Sequence, residues 1–172
     1  SMNLSRLSIL LVFVATAQAA DWTTATVPGP WEEKGPPSAR SLDGVVWFRT
    51  WVKPAPLFFT THERNLFEES VTLNLSDVAD AHEAFVNGVR VGSGGRFPPS
   101  YESGRNDRYA HKVPVGTLKK DQWNEIAIRI YNHRGPGGFL GEAPSIMTYN
   151  LECMLGGTWE FLAGEGCIPA GA

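Results

Sequence analysis

The segment HEAFVNGVRVGS has the pattern of a β-hairpin. Phe85-Val86 and Val89-Arg90-Val91 flank the dipeptide Asn87-Gly88, whose tolerance of positive φ angles suits a two-residue type I′ turn. No other local pattern in the chain indicates its structure as strongly. It predicts two antiparallel strands that meet at Asn87-Gly88.

Short alternating runs of apolar residues, bounded by Gly, Pro, Asn and Asp, continue through the chain and predict an all-β fold. The run VVWFRTWV (45–52) is bulky on both faces, which favours a central strand. Residues predicted to face the core from two other strands are Val71, Leu73, Leu75, Ile126, Ile128 and Ile130. Counted from a first strand near Trp22 to Thr26, about eight strands and no crossover helix predict an antiparallel β-sandwich.

Two further segments have a predicted place in this sandwich. RYAHKVPV is predicted to be an edge strand, because Pro114 has no N–H to donate to a ladder. The connection from Gly92 to Asp107 is long for a loop, and it carries Phe97 and Tyr101. It is either a binding loop or a surface excursion whose aromatic side chains fold back onto the sandwich.

The first residues have the pattern of a secretory signal peptide. Arg6 precedes an apolar stretch from Leu7 to Ala15, and Ala17-Gln18-Ala19 is a small-residue cleavage pattern. The apolar stretch is too short to span the ~30 Å hydrocarbon core of a bilayer. We therefore expect residues 1–19 to be an expression remnant (Ser1) plus a signal peptide, and the protein to be secreted or periplasmic, without membrane attachment after cleavage.

The net charge of −3 leaves no basic stripe to displace the counterions of nucleic acid, so no nucleic-acid partner is expected. Cys153 and Cys167 are the two cysteines. In an exported protein they would close a disulfide around a C-terminal hairpin, and two unpaired thiols are the alternative.

The glycine-rich stretch GPGGFLG after the run NEIAIRIYN does not fit a nucleotide site. Leu140 stands where the dinucleotide pattern needs its third glycine, and Glu142 follows Gly141 where a P-loop needs lysine. Nor does a helical pattern follow to supply amide donors. The stretch is instead predicted to be a turn, with Phe139 and Leu140 tucked under the sandwich.

Catalytic patterns are also missing from the sequence. It contains no G-x-S-x-G motif, and its four histidines have no metal-binding spacing. We therefore expect a non-catalytic chain without a cofactor. Asp77, Asp80 and Glu83 are candidate calcium ligands, and a solvated turn before the hairpin accounts for them equally well.

Aromatic residues in predicted loops are the remaining candidates for binding. Trp31 lies in the proline-bounded segment PGPWEEKGPP, and exposed rings of this kind can stack on a sugar while Arg and Asn bind its hydroxyls. The alternative is that such rings cap the open end of the core. Trp47, Trp51 and Trp123 are predicted to belong to the core.

Several motifs together resemble the sugar-binding domain of family 2 glycoside hydrolases, which is also found in sialate O-acetylesterases and exported multidomain bacterial proteins. They are VPGPWEEKG, LDGVVWFRTWVKP, LNLSDVADAHEAFVNGVRVGS and QWNEIAIRIYN with GPGGFLGEAP, and they cover about Trp22 to Leu151. The resemblance implies a galactose-binding-like jelly roll that accompanies a separate catalytic domain. It divides the chain into the leader, a sandwich domain over residues 20–152 and a tail, hairpin or linker over residues 153–172.

The sequence therefore predicts an exported, non-catalytic carbohydrate-binding module. Its alternative is a structural or docking module that binds another protein domain and no sugar. The candidate sugar-binding residues are Trp31, Arg96, Tyr101, Arg108, Asn132, His133 and Arg134.

Overall fold

The computed structural model describes residues 21–54, 71–148 and 151–164. The predicted signal peptide and Cys167 lie outside these residues, so leader, export and disulfide remain predictions. Within the described part, no helix is both long and apolar enough to cross a membrane.

The described residues form an antiparallel β-sandwich, as predicted. A six-stranded sheet has the order β1-β13-β3-β9-β6-β7, and a four-stranded sheet has the order β12-β11-β4-β8. A small three-stranded sheet, β2-β10-β5, lies beside them. The strands are β1 Thr23–Val27, β2 Gly29–Pro30, β3 Gly44–Val52, β4 Thr72–Ser76, β5 Val78–Ala79, β6 Ala81–Val86, β7 Val89–Gly94, β8 Arg108–Lys112, β9 Asn124–Asn132, β10 Gly138–Phe139, β11 Ser145–Met147, β12 Glu152–Met154 and β13 Gly157–Ala163.

Two short helices connect β2 to β3. The α-helix α1 is Trp31–Lys34, and a single 3₁₀ turn is Pro37–Ala39. Both follow a proline with extended backbone, which fixes where each helix begins.

The core lies between the two large sheets. The six side chains predicted to face it are all buried. They meet the inner face of β3, whose contributions are Val46, Phe48 and Val52. β3 lies between β13 and β9, which confirms it as a central strand, and β8 is at the edge of the four-stranded sheet.

The Asn87-Gly88 hairpin joins β6 to β7 with positive φ angles at both residues, as predicted. Asn87 has a second role that its turn propensity does not reveal. Its side-chain amide donates to Asn124 Oδ1 (2.8 Å) and to Thr117 O (2.7 Å), and its Oδ1 accepts the Glu125 N–H (2.9 Å). The turn is therefore hydrogen-bonded to β9 and to the loop before it.

Three predicted boundaries differ from the structure. The long connection after the hairpin is shorter than predicted, because Gly92 to Gly94 continue β7. The segment SIMTYNLEC, for which alternation predicts one strand, instead contains β11 and most of β12, which pair with each other. β13 pairs with β1 and β3, so the sandwich extends to Ala163, past the predicted boundary at residue 152.

The prediction that Trp51 and Trp123 belong to the core is wrong. Trp47 is buried, but Trp51 is 41% exposed and Trp123 is 69% exposed. Trp51 alternates with the inward-facing Val52 and therefore points to the outer face of the six-stranded sheet. A central strand has two faces, and only one of them is covered by the second sheet.

Candidate functional site

Trp31 is buried, so the prediction that it is a sugar-stacking platform is wrong. Its side chain is 0% exposed and packs against Phe48 and Phe161, with ring centroids 6.3 Å apart in both pairs. The indole N–H donates to Leu42 O at 3.1 Å. Trp31 caps the open end of the core, which is the alternative that the sequence left open.

The glycine-rich turn is fastened to Trp31. The Trp31 N–H donates to Gly137 O (2.9 Å), and the Gly137 N–H donates to the Glu32 carboxylate (3.1 Å). A Cβ on Gly137 would lie 2.3 Å from Trp31 Cζ2, so only glycine allows this approach. Phe139 is buried behind the turn, as predicted, whereas Leu140 is only half-buried.

An ion pair between the half-buried Arg105 and the buried Asp80 lies beside this turn and holds the loop between β7 and β8. Arg105 Nε donates to Asp80 Oδ1 at 2.8 Å, and Ser103 Oγ donates to the same oxygen at 3.2 Å. The other oxygen, Oδ2, accepts the His133 N–H at 2.8 Å. Burial alone would raise the pKa of Asp80, but the hydrogen bonds from Arg105 and His133 bring this pKa below its ordinary value.

The guanidinium of Arg105 also reaches the turn after β9. Nη2 donates to Pro136 O (2.9 Å) and to Asn132 Oδ1 (3.3 Å). Asn132 is fully buried, and its amide donates to Gly135 O at 2.7 Å. Asn132 is therefore committed to the protein and unsuited to the predicted contact with a sugar.

Tyr101 folds back onto the sandwich. Its ring stacks on His133, with centroids 4.8 Å apart, and meets Tyr131 edge-on at 5.6 Å. Phe97 also packs against Tyr131, with tilted rings whose centroids are 6.0 Å apart, and the guanidinium of Arg129 lies over the Phe97 ring. Tyr101 is 37% exposed, and His133 and Arg134 are also exposed, so these three form a rim at the end of β9.

Arg96 and Arg108 are exposed and ion-paired. Arg96 pairs with Glu102 across an isolated bridge in the loop that carries Tyr101. Arg108 belongs to β8 and pairs with Glu142 at 3.3 Å, on the outer face of the four-stranded sheet. Arg108 thus lies on a different surface from the rim.

That outer face contains a cleft of about 260 Å³. Its floor is a hydrogen-bonded ladder across three strands: Asn74 Nδ2 donates to Ser145 Oγ (3.3 Å), which donates to Glu152 Oε1 (2.6 Å). Met154 lines the cleft and is 55% exposed. The remaining polar lining comes from Ser76, Arg108 and Glu142.

The candidate calcium ligands are not brought together. Asp80 is paired with Arg105, and the Glu83 carboxylate accepts a hydrogen bond from Arg129 Nη1 at 2.9 Å. Asp77 Oδ1 accepts the Asn106 N–H at 2.8 Å. Among the described residues, no group of three His, Cys, Asp or Glu side chains could hold a metal ion.

A histidine pair bridges the two sheets inside the sandwich. His82 in β6 and His111 in β8 face each other, with their Nε2 atoms 2.8 Å apart. A Cβ on Gly92 would lie 2.0 Å from His111 Nδ1, so this glycine leaves the space that His111 fills. Burial and the neighbouring His111 lower the pKa of His82 to about 3, and burial also lowers the pKa of His111.

No protein-family model and no curated protein matches the chain. Solved structures similar to it include three β-glucuronidases, enzymes of the hydrolase family whose sugar-binding domain the sequence resembles. The Ruminococcus gnavus enzyme in complex with D-glucaro-d-lactam is 13% identical (TM-score 0.47), with 81% of this chain and 23% of that chain covered. The Bacteroides uniformis β-glucuronidase 2 mutant is 16% identical (TM-score 0.44; 70% and 12% covered). The Bifidobacterium dentium enzyme is 18% identical (TM-score 0.47; 68% and 17% covered). The chain thus spans less than a quarter of each enzyme's length.

Sequence patterns did not reveal two sets of residues that the structure brings together. Arg105 is one of several polar residues in a glycine-rich loop, and no spacing relates it to Asp80. The cleft combines β4, β8, β11 and β12, so its residues are distant in sequence. One residue of the cleft could be recognised as outward-facing from the sequence, because the alternation in SVTLNLSDV turns Asn74 away from the core.

Proposed function

We propose that this chain is an exported, non-catalytic carbohydrate-binding module and that its sugar site is the cleft on the outer face of the four-stranded sheet. The observation that carries the proposal is the concave arrangement of Arg108, Glu142 and the Asn74-Ser145-Glu152 ladder around an exposed Met154. Glu142 lies in the loop before β11, and the other residues come from four neighbouring strands, which fix their spacing.

The lining suits the chemistry of a sugar. Carboxylates accept hydrogen bonds from hydroxyl groups, and guanidinium and amide groups donate to them. Met154 offers a polarizable apolar surface to the C–H groups of the ring. Pockets for drug-sized ligands measure roughly 300–1,000 Å³, so a cleft of about 260 Å³ suits a ligand of one or two sugar rings.

The accessory role and export are parts of the same proposal. The fold resemblance concerns a module that accompanies a catalytic domain, and the chain spans only 12–23% of the three β-glucuronidases. Export is supported by the apolar stretch and small-residue pattern of residues 7–19.

The decisive experiment is glycan-array screening followed by calorimetry with the best oligosaccharide. Glu142→Gln and Glu152→Gln keep the shape of the side chain and remove its charge, and we expect each to weaken binding about tenfold, as for a charge-assisted hydrogen bond. The matched control is Glu102→Gln, since Glu102 is also exposed and paired with an arginine but lies outside the cleft. Unchanged affinity in both cleft variants, or an array on which the parent protein binds nothing, contradicts the proposal.

Protein docking is the second candidate function. Met147, Leu151 and Met154 are 39%, 36% and 55% exposed, and all three come from β11, β12 or the residues between them. A partner domain covering this apolar strip would also bury the cleft. Sedimentation of the protein with its partner, lost on Met147→Ser with Met154→Ser while all sugars fail to bind, would favour docking.

A further inference from the structure

We propose that the outer face of the six-stranded sheet is a second carbohydrate surface, which adsorbs the chain to a neutral, insoluble polysaccharide. Three of the six tryptophans are buried, at positions 31, 47 and 159. The other three, Trp22, Trp51 and Trp123, define what we call the tryptophan face, together with Arg49.

The strand register brings this face together. Trp51 is opposite Glu125 in the β3–β9 pair, and Trp123 precedes Glu125 by two residues. Diagonal neighbours of this kind have side chains within reach of each other on one face of a sheet. Asn124, the first residue of β9, is fully buried, so Glu125 points to the outer side, and the 69% exposure of Trp123 just before the strand places it on that side too.

Two of the indole rings lie against one guanidinium. The Arg49 Cζ atom is 3.8 Å from the centroid of the Trp22 ring and 5.1 Å from that of Trp51. Arg49 thus covers one face of the Trp51 ring. Trp51 is still 41% exposed, and this exposed area belongs to the opposite face and the edges of the ring. The uncovered part of the Trp51 ring is a flat apolar surface, which matches the apolar face of a sugar ring.

The charged groups around Arg49 favour a neutral ligand. Arg49 is bound by Glu160 through Nε and approaches Glu125 to 4.0 Å. This guanidinium and the two carboxylates together carry a net negative charge, which repels a uronate or a sulfate from the rings beside Arg49. An uncharged polysaccharide chain is not repelled by this charge.

The tryptophan face and the cleft lie on opposite outer sides of the sandwich. Arg49 and Trp51 alternate with Phe48 and Val52 on β3, and Asn74 alternates with core residues on β4. A soluble oligosaccharide in the cleft and a polymer on the tryptophan face can therefore be tested separately, and this inference does not depend on the proposed cleft.

The experiment is a pull-down with microcrystalline cellulose, chitin and insoluble mannan, with polygalacturonate gel as the acidic comparison. We expect the parent protein to sediment with at least one of the neutral polymers and not with polygalacturonate. In the Trp51→Ala, Trp123→Ala double variant, two lost stacking contacts should reduce the partition coefficient at least about tenfold. The matched control is Val89→Ala with Val115→Ala, which removes exposed apolar side chains elsewhere and should adsorb like the parent.

Several results would overturn the inference: no sedimentation with any neutral polymer, equal adsorption by the double tryptophan variant, or equal adsorption to polygalacturonate. A parent protein that dimerises in sedimentation velocity, and becomes monomeric in the tryptophan variant without adsorbing to polymer, would assign the face to self-association. Glu152→Gln should adsorb like the parent, so failure of the cleft proposal and failure of this one are distinguishable.

Discussion

Trp31 and Trp123 occupy opposite environments at the two sides of the six-stranded sheet. Trp31 lies in a short helix between two connections and is fully buried, whereas Trp123 stands immediately before the central strand β9 and is 69% exposed. A loop residue therefore closes the core, and a residue beside a central strand faces solvent. Burial in a sandwich depends on which side of a sheet a residue faces, and on what covers that side.

The two regions differ in the contacts of their tryptophans as well as in exposed surface area. Trp31 has two aromatic neighbours, an acceptor for its indole N–H and a glycine shaped to its ring. In the tryptophan face, Trp22 and Trp51 lie against the guanidinium of Arg49 at the surface. Substitution at Trp31 should therefore mainly reduce the stability of the fold, and substitution in the tryptophan face should mainly reduce binding.

Replacing the two tryptophans tests this contrast directly and should give the largest effect. Trp31→Ala removes a fully buried indole and should lower the free energy of unfolding by about 3–5 kcal/mol. Trp123→Ala should change it by less than about 0.5 kcal/mol. Urea unfolding followed by circular dichroism measures both, and similar losses in the two variants would contradict the contrast.

Two of the arginine–carboxylate pairs, Arg105–Asp80 and Arg108–Glu142, extend the contrast to charge. Arg105→Met leaves the buried Asp80 carboxylate without its cation and should cost about 3 kcal/mol. Arg108→Met breaks the exposed pair with Glu142 and should cost at most about 1 kcal/mol. Chemical unfolding of both variants is the measurement.

Chemical unfolding of the double variant Arg105→Met, Asp80→Asn identifies why Arg105→Met loses stability. The double variant should be more stable than Arg105→Met alone, because its buried side chain no longer carries a charge. No recovery would mean that Arg105 acts through its bonds to Pro136 and Asn132 instead.

Gly137→Ala tests how closely the turn fits Trp31. The added methyl carbon would lie 2.3 Å from a buried ring that has no room to move, so we expect a loss of about 1–3 kcal/mol in unfolding free energy. Gly156→Ala is the matched control, because the nearest atom to its added carbon is at 3.3 Å. Equal thermal melting temperatures for the two variants would argue against the close approach.

The histidine pair makes stability depend on pH. Because folding lowers the pKa of His82 to about 3, the unfolded chain binds protons below about pH 6.5 that the folded chain does not. Stability should therefore be full above that pH and fall by up to about 1.4 kcal/mol per pH unit for His82 as pH decreases toward 3. His82→Gln should flatten this slope in urea unfolding between pH 6 and pH 4.5, and an unchanged slope would contradict the assignment.

Local patterns in the sequence predict much of the fold. Period-two alternation identified the inward faces of β4 and β9, and Asn87-Gly88 identified the hairpin, because both signals depend on residues close in sequence. Short strands such as β2, β5 and β10 have two residues each and no period to detect.

The sites were less predictable than the fold. Loop placement alone suggested that Trp31 was exposed and gave no reason to place Arg108 on a different surface from Tyr101. The partners that decide these outcomes, such as Phe161 against Trp31 and Glu142 against Arg108, are 130 and 34 positions away. Contacts at such distances follow from sheet order, which alternation does not encode.

The position of β13 has a consequence for the time at which the protein can fold. β13 is the last strand of the described chain, yet it lies between β1 and β3, and a hydrogen bond joins Thr23 to Phe161 across 138 positions. During synthesis, β3, β6, β7 and β9 can pair while β1 still lacks its neighbour. Because β13 lies between β1 and β3, the six-stranded sheet is completed only after the ribosome has released residues 157–163. Bringing strands so distant in sequence together is also slow and entropically costly.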